Sequence, residues 1–296
     1  MESNPNGSAR QARDLGQLTY WRGGDLTSSC ILTALRSTSD FRGKGRLFQW
    51  VAKHLAGGSL AVRTCDNVRL DIDPSDYMGR TIAYEGGFER LSLERAIQIM
   101  LGGGTFLDVG CNFGIYTMLL GARPGVRCIA VDGSFVALSS LQRNLALNPG
   151  LDVTLVSSAL GSETGLVRFH IEDQGNLGST RAFDEGRIAD SSTFWTVATR
   201  LNDVLSTVPV GEIRLMKIDV EGSEMSVFRG LDFDGPYRPA HIIAECYSDE
   251  FPEAAKLIDY LLEREYEAMD VTGKPVVDRS TLPEHNVWFR STRRAR

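Results

Sequence analysis

From Leu91 onward, short apolar runs of strand length alternate with segments of helical period, and few folds accommodate that alternation. Strand-like runs occupy residues 105–109, 127–132, 153–158, 214–220 and 241–246. Helical patterns occupy 91–101, 115–120, 134–147, 223–229 and 253–265. Parallel strands need long crossovers, and helices supply them, so this order implies a parallel sheet covered on both faces. Two last strand-like runs, 266–271 and 286–290, fit an edge hairpin. The expected fold is therefore α/β: a doubly wound, mostly parallel seven-stranded sheet.

The segment ahead of this alternation reads differently. The first residues are rich in Asn, Ser, Gly and Arg and bury too little apolar area to offset the entropy of ordering them. In 46–56, Leu47, Val51 and Leu55 recur at helical spacing before Gly57-Gly58 stops the helix. Residues 59–73 alternate around Asp66-Asn67 as a β-hairpin. The expected organisation is a polar tail and loose segment over 1–45, a helix and β-hairpin extension over 46–90, the main domain over 91–291 and a basic tail over 292–296. Residues 172–200, with Gly175, Gly178 and Gly186 among Ser, Thr and Asp, fit no period. Within them, 174–199 is expected to be a lid carrying Phe194 and Trp195.

Composition narrows the function. A formal net charge of −6 argues against gripping a nucleic-acid backbone. No apolar run approaches the length of a membrane span, and no apolar leader follows Met1. The five cysteines are dispersed and contain no C-x-x-C pair, so neither a disulfide framework nor a thiolate metal site is indicated. A reducing, cytoplasmic setting without metal is the expectation.

In open α/β sheets the ligand lies beyond the carboxyl ends of the strands, so the strand-ending residues carry the argument. The first strand ends in Asp108-Val109-Gly110-Cys111-Asn112-Phe113-Gly114, a glycine-bearing turn that opens a helix. Such a turn lets backbone approach a nucleotide closely, or it is simply a tight connection. About 20 residues on, the second strand ends in Asp132, placed to accept hydrogen bonds from ribose hydroxyls or to cap the next helix. Dinucleotides call for G-x-G-x-x-G, whereas Asn112 stands where the second glycine belongs, which favours a cofactor without phosphates. The fourth strand ends in Lys217-Ile218-Asp219-Val220-Glu221-Gly222, and alternation puts Lys217, Asp219 and Glu221 on one face. Three charges on an apolar strand indicate a polar cleft, or an ion pair at its rim. Glu245 ends the fifth strand at the same edge.

These motifs, in order, resemble the FkbM-type class I methyltransferases. Asp108 to Gly114 looks like the family's D-V-G-A-N-x-G, with Cys111 for alanine. Asn144 to Asn148 looks like N-L-x-x-N, Ala159-Leu160-Gly161 like A-L-G, and Lys217 to Glu224 like K-I-D-V-E-G-x-E. Phe88-Glu89 resembles an upstream aromatic-Glu pair. Two departures stand out: the usual Glu-Pro is Asp132-Gly133, and L-D-D is Leu201-Asn202-Asp203.

The resemblance implies a Rossmann-like fold, S-adenosylmethionine as cofactor, and a hydroxyl on a sugar, polyketide or similar small molecule as acceptor. Glu89, Asp108, Gly110, Asn112, Gly114, Asp132, Gly133, Ser158, Ala159 and Asp219 are the expected cofactor contacts. Lys217, Asp219 and Glu221 are the expected catalytic group, with Glu221 and Glu245 towards the substrate. A nicotinamide-dependent oxidoreductase and a non-catalytic ligand-binding protein remain the alternatives.

Overall fold

In the computed structural model, residues 19–20, 26–39, 41–54, 59–64, 66–74, 76–173, 176–183, 193–246, 252–276 and 282–293 are described. Their strands are, in chain order, β1 (Thr19–Tyr20), β2 (Leu60–Arg63), β3 (Arg69–Ile72), β4 (Gly104–Val109), β5 (Val126–Asp132), β6 (Val153–Ser157), β7 (Ala159–Gly161), β8 (Gly165–Asp173), β9 (Asn176–Phe183), β10 (Thr193–Arg200), β11 (Ile213–Ile218), β12 (His241–Glu245), β13 (Tyr266–Asp270) and β14 (Asn286–Ser291).

Seven of them form the central sheet, in the order β13-β14-β12-β11-β4-β5-β6. Pairing is parallel from β12 through β11, β4 and β5 to β6, while β14 runs antiparallel to both β12 and β13. The expected edge hairpin is present, with its second strand placed inside the first. Strand order reverses beside β4, so its carboxyl end opens onto the crevice where α/β sheets bind ligands.

Side-chain alternation along the strands feeds two cores. Phe106, Cys128, Ala130, Leu215 and Ile243 point to one face, under the helices Arg90–Met100, Ile115–Gly121 and Phe135–Leu147. Leu107, Val109, Ile129, Met216, Ile218 and Ile242 point to the other, under Leu201–Thr207, Glu224–Arg229 and Pro252–Leu262. Each fully buried Phe, Leu or Ile contributes roughly 1.5–3 kcal/mol relative to exposure. Among the described residues no helix is long and apolar enough to cross a membrane.

Three expectations are corrected. The segment 1–45 is not uniformly loose: helix Leu26–Ser37 buries Leu32 in the first core, and β1 pairs with β2. The polar residues around these short runs obscured them. The helix expected over 46–56 is Lys44–His54, but its inward face is Phe48, Val51 and Ala52, leaving Leu47 exposed; residues 55–58 lie outside the described set.

The largest correction concerns residues 172–200. Much of this stretch is strand, in a second sheet ordered β7-β10-β8-β9. The sequence of β10, Thr193-Phe194-Trp195-Thr196-Val197, is built of β-branched and aromatic residues, and that signal outweighs the surrounding glycines. Residues 174–175 and 184–192 of the expected lid lie outside the described set.

Candidate active site

The turn after β4 is shaped by a close crossing of two strand ends. Gly110 has φ 77°, and a Cβ there would lie 1.8 Å from the carbonyl oxygen of Asp219. The Asp219 amide donates back to the Val109 carbonyl at 3.0 Å, which locks β4 and β11 together at their carboxyl ends. The Asn112 amide then donates to Asp132 Oδ2 at 2.9 Å, and the Ser134 amide to Oδ1 at 2.7 Å. Asp132 thus braces both the glycine turn and the start of the following helix, whose cap is Ser134. Burial pushes the Asp132 carboxyl up.

Asp108 points away from the turn, into the helix behind it. It accepts from the Thr117 amide at 3.1 Å and from the Thr117 hydroxyl at 2.5 Å. Burial raises its carboxyl to about 6, against the opposing pull of Thr117 and Lys217. Gly114, with φ 87°, opens the same helix, and a Cβ there would come within 2.3 Å of Leu141 Cδ1. Helix packing accounts for Gly114: unlike the other expected cofactor contacts, it is not in the wall of the cavity described below.

A charged cluster stands at the end of β11. Lys217 is buried, with Nζ 3.2 Å from Asp219 Oδ2 and 3.6 Å from Glu89 Oε2. Burial alone would lower the ammonium pKa, but Asp219, Glu89 and Glu245 more than reverse this and hold it above the ordinary lysine range. Tyr116 joins the cluster: its hydroxyl donates to Glu89 Oε2 at 2.7 Å, and its ring lies 5.5 Å from Lys217 Nζ. Sequence reasoning missed Tyr116. The available signal was a polar-tipped aromatic at the first turn of the helix that follows the glycine turn.

Strand alternation does not extend as far as Glu221. β11 ends at Ile218, and Glu221 sits in a left-handed turn at φ 52°. That turn is braced by Glu224, whose Oε1 accepts from the Val220 and Gly222 amides at 3.0 and 3.3 Å. Lys217 and Asp219 are therefore paired directly, and Glu221 reaches the cleft by a separate bend. Glu245 stands outside the cavity wall. Burial, together with Asp219 and Glu221 and against the opposing pull of Lys217, pushes its carboxyl up to about 8.

These elements enclose a cavity of about 500 Å³. Glu89, Asp108, Gly110 and Asn112 line it, as do Asp132, Gly133, Ser158 and Ala159, and so do Lys217, Asp219 and Glu221. Val167, Phe169 and Ala198 of the second sheet close one side. Among the described residues six acids border the cavity (Glu89, Asp108, Asp132, Glu163, Asp219, Glu221), Asp108 with its carboxyl turned to Thr117, against one ammonium, Lys217. Glu89, Asn112 and Glu221 are non-glycine residues at positive φ, and such strain clusters at binding sites. The described residues contain no group of His, Cys, Asp and Glu able to hold a metal ion.

Comparisons with known proteins bear on this site. The chain is 28% identical over 145 residues to Methyltransferase 1 of Beauveria bassiana (strain ARSEF 2860), covering 43% of this chain and 57% of that relative, so the match spans little more than half of the relative's length. Among solved structures it is similar to an rRNA methylase from Streptococcus thermophilus (13% identity, 69% of this chain and 96% of that one, TM-score 0.39). It is also similar to a putative O-methyltransferase from Klebsiella pneumoniae (12% identity, 70% and 82%, TM-score 0.40). The profile of the Methyltransferase FkbM domain matches residues 108–268, from the strand-ending Asp108 through the Lys217 cluster into β13. Since that match takes in more than half of the chain and both strand ends that build the cavity, this protein belongs to the FkbM methyltransferase family.

Proposed function

We propose that the chain transfers a methyl group from S-adenosylmethionine to a hydroxyl of a small acceptor such as a sugar or polyketide. The observation that carries this reading is the cavity wall, bordered by six acids and one ammonium, with a strand-ending Asp132 at the sheet's switch point. That charge balance suits a cationic sulfonium and repels the pyrophosphate of a dinucleotide. Each Asp132 oxygen accepts one amide and keeps a further lone pair for a ribose hydroxyl. Glu89 and Asp219 flank Lys217, so both signs of charge are available to an amino-acid end. The residues present fit the cofactor.

When bound, S-adenosylmethionine supplies an already activated methyl group. The protein's own work is to hold the acceptor oxygen in line and to take its proton. Orientation can contribute roughly 7–11 kcal/mol, whereas a general base gives about 10²–10⁴-fold, so positioning outweighs base strength. Asp219 and Glu221 are the groups proposed to receive the proton. Lys217 holds Asp219 in place, and Glu245 supports the cluster from behind. The formal charge of −6 and the acidic cavity favour a small molecule over nucleic acid, and the scattered cysteines favour a reducing, cytoplasmic setting.

Isothermal titration with S-adenosylmethionine and, separately, NADH tests the reading. Binding of the first alone, weakened in Asp132→Ala, is the expected result. Binding of NADH alone would support the oxidoreductase alternative, and cofactor binding without turnover on any acceptor would support a non-catalytic role.

A further inference from the structure

We infer that Phe169, on the second sheet, whose ring fills the space that Gly133 leaves by lacking a Cβ, is the surface against which the purine base of the cofactor packs. This rests on the cofactor reading above. Period-two alternation splits the β8/β10 pair into two faces. Val167, Phe169 and Ala198 border the cavity, while Leu166 and Trp195 turn outward and are 68% and 65% exposed. Phe169 is held in place by its neighbours. Phe194 lies opposite it in register, with ring centroids 5.7 Å apart and planes within 13°, and Phe135 packs edge-on to Phe194 at 5.2 Å.

Gly133 follows Asp132 directly, and a Cβ there would lie 3.0 Å from two Phe169 ring carbons and 3.1 Å from Ala159 Cβ. A side chain at position 133 would therefore crowd the ring unless it shifted by a few tenths of an ångström. In the resembled family the usual residue at this place is proline, so here the apolar surface beside the ribose-binding acid comes from a different strand. The other wall residues near Asp132 (Gly133, Ser134, Ala137 and Ala159) are small. Tyr116 belongs to the Glu89–Lys217 end instead. Phe88 adjoins Glu89 at that same end and Tyr77 is half-exposed, whereas the Phe169 ring abuts position 133, directly after Asp132. A purine beside Asp132 therefore meets a large flat apolar surface in Phe169, and stacking of a base on an aromatic ring is worth enough to read in binding.

The test is titration of the purified full chain and of Phe169→Ala and Phe169→Tyr with S-adenosylhomocysteine, and with S-ribosylhomocysteine, which lacks the base. The inference expects Phe169→Ala to weaken S-adenosylhomocysteine about 10-fold or more and to leave S-ribosylhomocysteine unchanged, with Phe169→Tyr close to the parent. Equal weakening of both ligands, or no weakening of either, overturns it, because a purely structural ring would not separate them. If Phe169→Ala does not fold, Phe169→Leu, which keeps apolar volume without the ring, carries the same comparison. A parent chain that binds neither ligand refutes the cofactor reading itself, whereas a parent that binds S-adenosylhomocysteine as tightly as Phe169→Ala does refutes only the inference.

Discussion

Asp219 works through two of its parts. Its carbonyl oxygen occupies the space that Gly110 leaves by lacking a Cβ, while its carboxylate faces the cavity and meets Lys217. The backbone contact fixes where the carboxylate can be, so the β4 turn and the β11 end operate as one unit. Exchanging the carboxylate for an amide leaves the backbone contact intact and removes only the charge and the basicity. Asp219→Asn is therefore expected to lower kcat/KM on the true acceptor by about 10²–10⁴-fold while the fold is retained. Steady-state kinetics beside a thermal melt checks this, and unchanged turnover would remove Asp219 as the proton acceptor and shift the role to Glu221.

At the scale of an element, the helix Arg90–Met100 shows how a site residue is released from structural duty. Glu89 occupies the N-cap position at φ 43° but makes no side-chain cap; its carboxylate turns to Tyr116 and Lys217 instead. The exposed amides of that helix start are satisfied from a distant part of the chain. Glu284 accepts from the Leu91 amide at 2.8 Å and the Ser92 amide at 2.9 Å, and the Ser92 hydroxyl donates to it as well. A carboxylate there also meets the positive end of the helix dipole. Glu284→Ala is expected to cost about 1 kcal/mol in a denaturant titration, because the helix loses its cap while Glu89 stays committed to the cavity. No measurable loss would show that another group caps the helix.

For the molecule as a whole, four acids in and around the site shift in one direction. Burial raises Asp108 to about 6 and Glu245 to about 8, and it raises Asp132 and Glu224 as well. A carboxyl whose pKa is higher folded than unfolded keeps more protons in the folded state across that interval. Stability therefore falls as pH rises through the window, from the ordinary carboxylate range to about 8 for Glu245. Asp270 shifts the other way at the surface, and His241, pushed down to about 4 by burial, opposes the trend below its ordinary value of 6.5. The expected outcome is a thermal midpoint that declines from pH 6.5, above the His241 interval, to about 8. Glu245→Gln should flatten that decline by an amount on the order of 1 kcal/mol, allowing for the residue's partial exposure. A midpoint that rises with pH over the same interval would contradict the sign.

The sequence by itself determined the seven-stranded sheet, the glycine turn at Asp108 to Gly114, the acid at Asp132 and the Lys217 to Glu224 segment. Each is a local pattern of period or strand-end chemistry that is written in consecutive residues. Only the tertiary structure decided the rest. Gly114 packs against Leu141 and lies outside the cavity wall, Glu245 also stands outside it, and Tyr116 joined the charged cluster. Those outcomes depend on which residues meet across the sheet. The second sheet over residues that read as a loop has the same origin, since pairing with β8 supplies β10 with the backbone partners that its glycine-rich surroundings concealed.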